Sequence, residues 1–179
     1  MSSEMKYYMY NGETTAYGSN SYLTLAQMTI NAQCIYDYLL NKGWSKNAIC
    51  GMLGNMQTES TINPGIWQNL KANNMKGGFG LVQWTPASKY INWANERGLD
   101  YLDIINQLNK ILDEVENGDQ WIKTSAHPLS FKDFVCSKKS PEDLAAAFVF
   151  NYERPASDET VPTRREQARY WFDTLPVKA

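Results

Sequence analysis

The chain has 179 residues, enough for one domain with a substantial core. Apolar residues make up 43% and charged residues 20%, which excludes a disordered chain. A net charge of −2 argues against a broad basic surface for nucleic acid.

Residues 1–20 are polar and tyrosine-rich (Tyr7, Tyr8, Tyr10, Tyr17), without periodicity, and read as an N-terminal extension. They lack the basic start and apolar run of a secretory signal. Thr24 with Gln27 forms a capping-box pattern. It opens a predicted helix to about Leu40, stopped by Gly43, with Met28, Ala32, Ile35, Tyr36 and Leu39 on one face. Ser45 is an N-cap for a second helix over about 46–59, apolar at Ala48, Ile49, Met52, Leu53 and Met56. Gly51 and Gly54 lie inside it and cost about 1 kcal/mol each relative to Ala, tolerable where another backbone packs closely.

Residues 60–86 carry no helical period. Asn63-Pro64-Gly65 and Gly77-Gly78 are turn signals, and Phe79 to Trp84 reads as a short strand in a small hairpin. Further helices are predicted at about 88–96, ended by Gly98, and at about 102–116, ended by Gly118. Ser140-Pro141-Glu142-Asp143 opens a helix that must end before Pro155. Thr163 with Glu166 reads as a second capping box, opening a last helix to Leu175. The expected organisation is a mostly α (α+β) domain over 21–175, flanked by the 1–20 extension and, at 176–179, the start of a linker or the chain's end. An irregular or β-hairpin excursion follows the second helix.

The longest apolar run, Leu144–Phe150, is too short to span a bilayer, so no membrane insertion is expected. Cys34, Cys50 and Cys136 are odd in number and widely spaced, which fits buried free thiols of a chain made in a reducing cytosol. His127 is the only histidine and has no cysteine near it in sequence, so no metal site and no cofactor are expected. Cys34 and Cys50 fall on apolar helical faces, which leaves a Cys/His amidase poorly supported.

Glu59 is the principal candidate for chemistry. Glycoside cleavage needs a carboxylic acid to protonate the leaving oxygen. Burial and a helix C-terminus both favour the protonated form of a carboxyl group. On position alone Glu59 is an ordinary helix-terminal glutamate, so the weight falls on its companions. Gly78-Phe79-Gly80-Leu81-Val82-Gln83-Trp84 supplies glycines where a polymer could approach the backbone, and an amide suited to a sugar hydroxyl. Phe79 and Trp84 flank that run and are taken as substrate candidates, while the other tryptophans read as core. Asn151-Tyr152-Glu153 closes a helix and offers Tyr152.

Glu59-Ser60, Gly80-Leu81-Val82-Gln83 and Asn151-Tyr152 resemble the three signatures of the goose-type lysozyme and lytic transglycosylase branch of the lysozyme superfamily. Residues 48–65, 78–86, 90–94 and 152–155 resemble the phage tail lysozyme family more closely, and the likeness covers about 20–175. The resemblance implies a lysozyme-like fold and cleavage of the β-1,4 bond between N-acetylmuramic acid and N-acetylglucosamine. It makes Glu59 the general acid, and Gln83 and Tyr152 cleft-lining residues. Ser60, with Phe79, Gly80 and Trp84, completes the expected substrate-contacting set, and an inward hydroxyl would make Ser60 a support. The implied partners are peptidoglycan glycan strands and other phage tail proteins. The implied location is the virion tail tip, with the protein made in the host cytoplasm without a signal peptide. In such tail proteins a linker and a metal-dependent endopeptidase domain follow. No second catalytic carboxylate is evident: after Glu59 the next acid is Glu96, and Glu153, which adjoins the Asn151-Tyr152 motif, is a candidate that reads better as a local ion pair with Arg154. A non-catalytic wall-binding module on the same scaffold is the main competitor, and a 1,6-anhydro-forming transglycosylase is the other.

Overall fold

A computed structural model describes residues 6–10 and 14–177. Parts of the expected extension (1–5, 11–13) and of the expected linker (178–179) lie outside the described residues. Among the described residues the fold is mostly α, with seven α-helices and one two-stranded antiparallel hairpin. No helix among them is long and apolar enough to cross a membrane. The chain forms two compact units, one of residues 1–34 and 59–110, the other of 35–58 and 111–179.

The first unit starts with β1 (Lys6–Tyr10) paired to β2 (Thr14–Gly18), with Tyr7 opposite Tyr17. A hairpin was not expected here, because these residues do not alternate cleanly between polar and apolar. Helix α1 (Leu25–Asn41) opens on the predicted capping box: Thr24 N–H donates to Gln27 Oε1 at 2.9 Å, and Gln27 N–H to Thr24 Oγ1 at 3.3 Å. The excursion over 60–86 is irregular rather than a regular hairpin. A single 3-10 turn (Gln68–Leu70) and isolated bridges of Phe79 to Trp67 and to Trp84 are its only regular features. Helix α3 (Ser88–Glu96) follows as predicted, and α4 (Ile104–Asn117) starts two residues late. Asp100 turns the chain first, its carboxylate accepting from Leu102 N–H, and Asp103 then caps the helix, its carboxylate accepting from Ile105 N–H and its carbonyl from Gln107 N–H. Gly43, Gly98 and Gly118, the predicted stops, all have positive φ (89°, 65° and 72°).

The second unit holds most of α2 (Lys46–Ser60). Ser45 caps it, accepting from Ala48 N–H at 3.0 Å. Its glycines meet neighbouring backbone, as their cost required. A Cβ on Gly51 would lie 2.9 Å from Ala145 N in α6 (Pro141–Phe148), and one on Gly54 would lie 2.7 Å from Ala168 N in α7 (Val161–Thr174). Asn55 is buried at this junction. Its amide donates to Gly51 and Ala145 carbonyls and accepts from Arg164 Nη1, so every polar atom there has a partner. The short α5 (Phe131–Val135), capped by Ser130, was not anticipated; it packs its phenylalanines against Trp44 and Trp121. Helix α7 starts two residues before the expected Thr163, because Pro162 fits the first turn and Thr160 is the N-cap residue. Glu142 on α6 is hydrogen-bonded by Arg169 of α7, which holds its carboxyl below the usual range.

Candidate active site

Glu59 is the penultimate residue of α2 and is half-buried. The chain after it makes an unusual turn. Thr61 and Ile62 both adopt positive φ, 54° and 53°. For β-branched residues that region is strained, at about 1–3 kcal/mol each, and it persists only where neighbours over-determine it.

The neighbours do so here. Ser60 Oγ donates to the Leu81 carbonyl at 2.7 Å and accepts from Asn63 N–H. Thr61 Oγ1 accepts from Leu23 N–H at 3.0 Å, and the Ile62 carbonyl accepts from Asn31 Nδ2 at 2.8 Å. Asn63 is fully buried. Its Nδ2 donates to Ser19 and Ser21 carbonyls, and its Oδ1 accepts from Ser19 and Gly65 N–H. Four consecutive residues after Glu59 are therefore each tied by a side chain to another segment of the same unit. Three of those partners (Ser19, Ser21 and Leu23) lie at the end of the expected extension or just past it.

The Gly-Leu-Val-Gln run forms a closed turn. Phe79 and Trp84 exchange backbone hydrogen bonds at 3.2 and 3.0 Å, and Gln83 N–H returns to the Gly80 carbonyl at 3.1 Å. Gly80 (φ 82°) and Gln83 (φ 54°) are both left-handed. The Gln83 amide braces the turn from inside, its Nε2 donating to Ile66 and Gly80 carbonyls. Phe79 and Trp84 are core residues. Phe79 is 0% exposed and lies 4.6 Å from Trp67, and Trp84 is 3% exposed and stacks 4.5 Å from Tyr90. Their rings hold the turn and present no open face. Gly80 is likewise buried, and its missing side chain makes room for the Gln107 amide, which a Cβ would meet at 2.8 Å.

Tyr152 belongs to the second unit. Helix α6 passes into a π-helical turn, Val149–Glu153, closed by Arg154 at φ 47°. Tyr152 is 1% exposed, stacks on Phe148 at 4.5 Å and donates its hydroxyl to Glu114 at 2.6 Å. Asn151 is fully buried and joins this turn to the segment ahead of α5, through Thr124 Oγ1 and the His127 carbonyl. Arg154 donates to the backbone carbonyls of Gln120 and Asn151.

Of the residues singled out from sequence, Glu59 and Gln83 are half-buried, and Ser60, Phe79, Gly80, Trp84 and Tyr152 are buried. The sequence reading missed Asn63, Gln107 and Glu114. The last two had a signal: both fall on the apolar stripe of α4 with Ile104, Leu108, Ile111 and Val115, where a polar side chain needs a specific partner. Cys34 and Cys50 are buried, and burial pushes the Cys50 thiol up to about 12, far from a nucleophilic thiolate. Cys136, expected to be buried, is exposed.

Comparison with known proteins bears on this arrangement. Residues 30–175 match the family model described as phage tail lysozyme. The chain belongs to the phage tail lysozyme family. It is also 57% identical, over 164 residues, to "Morphogenesis protein 1" of Bacillus phage B103. That alignment covers 90% of this chain and 44% of the relative, so the chain spans less than half of the relative's length. Membership of the phage tail lysozyme family points to a cell-wall-degrading role in a phage tail.

Proposed function

We propose that this domain is a peptidoglycan glycosidase of a phage tail, with Glu59 as general acid. The observation that carries the reading is the setting of Glu59: a half-buried carboxyl at the end of a helix, followed by a strained turn that four side chains hold in place. Strain over-determined in this way is characteristic of functional sites, where it fixes a reacting group. Family membership supports the same reading.

In the proposed reaction Glu59 gives its proton to the bridging oxygen of the β-1,4 bond between N-acetylmuramic acid and N-acetylglucosamine. The bond from that oxygen to the muramoyl C1 breaks. Water then adds at C1 and its proton returns to Glu59, leaving a reducing end. Gln83, half-buried with its Nε2 committed to the Ile66 and Gly80 carbonyls, is assigned to the glycan contact through the part of its side chain left at the surface. Ser60, Phe79, Gly80 and Trp84 act as supports, and Tyr152 supports its own unit. The biological role is local opening of the host wall during entry, by a protein carried in the virion beside other tail proteins.

One observation favours a second outcome on the same scaffold. Between Glu59 and Glu96 the chain contains Lys71, Lys76 and Lys89 but no acid. The excursion that follows the acid therefore supplies no carboxylate to act as nucleophile or base. A single-acid mechanism could then close by attack of the muramoyl 6-hydroxyl on C1, giving a 1,6-anhydro product.

The test is digestion of purified, glycan-defined peptidoglycan by the wild type and Glu59→Gln, with products read by mass spectrometry. Reducing muropeptides from the wild type alone support the hydrolase. Products lighter by one water assign the transglycosylase. Equal release by Glu59→Gln would remove Glu59 from the mechanism. No release by a folded wild type that still binds the glycan would leave a wall-binding module.

A further inference from the structure

Leu81 is gripped at both of its backbone polar atoms. Its carbonyl accepts from Ser60 Oγ at 2.7 Å, and its N–H donates to Gln107 Oε1 at 2.9 Å. Gln107 lies on α4 and is 0% exposed. Its Nε2 donates to the Pro64 carbonyl at 2.6 Å and to the Tyr101 carbonyl at 3.1 Å. One amide thus binds three separate stretches of the first unit: the turn that follows Glu59, the Gly80–Gln83 turn, and the connection between α3 and α4.

The fit is specific to glutamine. The site asks for one acceptor and two donors on the same planar group, and an amide supplies both. Glutamate offers the acceptor and no donor, and sets a carboxylate against two carbonyl oxygens. Leucine and methionine offer neither. The absence of a Cβ at Gly80 is the other half of the joint, since a side chain there would displace the amide.

We propose that Gln107 is a positioning residue of the Glu59 site. It fixes the Gly80–Gln83 turn against the turn that leaves Glu59, and so governs turnover more than glycan affinity. The inference rests on the glycosidase reading above. Misplacing a reacting geometry by about 1 Å costs on the order of 100-fold in rate, so a loosened joint should appear in kcat.

The experiment compares wild type, Gln107→Glu, Gln107→Met and Phe134→Leu. Phe134 is a fully buried ring of the second unit and serves as the control for lost stability. Gln107→Met keeps the size without a buried charge, and serves if Gln107→Glu does not fold. Release of soluble muropeptides from uncrosslinked glycan strands gives kcat and KM, and amide hydrogen exchange is followed at Leu81. The expected result for the Gln107 variants is a kcat at least tenfold lower, KM within threefold of wild type, and faster exchange at Leu81 while Leu108 and Ile111 stay protected. Phe134→Leu should keep the wild-type kcat at a comparable drop in melting temperature. Wild-type kcat in a folded Gln107 variant, or an equal kcat loss in Phe134→Leu, would overturn the proposal. A wild type that releases nothing overturns the glycosidase reading and, with it, the role in turnover. Exchange at Leu81 distinguishes that failure from failure of the joint itself.

Discussion

Tyr152 donates its hydroxyl to the carboxylate of Glu114 across 2.6 Å, and both side chains are buried. This bond explains a tyrosine at the position better than contact with a sugar does, since 1% exposure leaves the ring no free face. Tyr152→Phe preserves the stacking on Phe148 and removes one donor from a buried carboxylate. The expected cost is about 1–3 kcal/mol, or roughly 2–10 °C in Tm for a domain of this size. A thermal melt checks it, and an unchanged Tm would mean that the bond contributes nothing to folding.

Gly54→Ala sets two effects against each other. Alanine gains about 1 kcal/mol of helix propensity. Its methyl would meet the Arg164 carbonyl and lie 2.7 Å from Ala168 N, and these are backbone atoms that cannot swing aside. Overpacking of a tight core costs about 1–3 kcal/mol, and contact with backbone places this case at or beyond the upper end. The variant should therefore be net destabilised, with Tm several degrees lower in calorimetry. A rise in Tm would show that α2 can move away from α7.

Ser60→Ala removes the donor to Leu81 and the acceptor for Asn63 N–H. Both bonds constrain the chain just after Glu59. Muropeptide release should fall about tenfold, the order expected when one constraint on a reacting geometry is lost, while circular dichroism stays that of the wild type. Full activity would detach the Ser60 hydroxyl from the site.

His127 gives the fold a pH dependence of known sign. Burial, with Lys139 next in weight, pushes its pKa below the ordinary 6.5, against the opposing pull of Asp143. The neutral ring stacks on Phe150 at 5.6 Å. Near and below pH 6.5 the unfolded chain therefore binds a proton that the folded chain resists, and stability falls as pH drops through that range. Denaturant midpoints measured from pH 7.5 to 5.5 should decrease, and His127→Gln should flatten the curve.

Some of this was legible in the residues and some was not, for physical reasons. Helices α1, α2 and α6 were readable because Thr24, Ser45 and Ser140 announce their starts with local hydrogen bonds. Local signals can also mislead: Thr163 and Glu166 mimic a capping box inside a helix already begun at Val161. Glu59 and Ser60 were legible as a motif. The residues that hold them were not, because Gln107 acts on Leu81 and Asn63 on Ser19, partners 26 and 44 positions away. Phe79 and Trp84 were placed against the substrate because an aromatic beside glycines reads the same whether it faces a sugar or another ring.

The unequal exposure of the three cysteines has a practical consequence. Cys34 and Cys50 are sealed from solvent, and Cys136 stands open just past α5, its thiol near the Lys132 and Asp133 carbonyls. Under native conditions a maleimide dye would attach at one address, in the unit that does not contain Glu59. Residues 14–177 thus carry one exposed thiol, at Cys136, for tethering or imaging. The same sulfur is where two molecules stored in air would join.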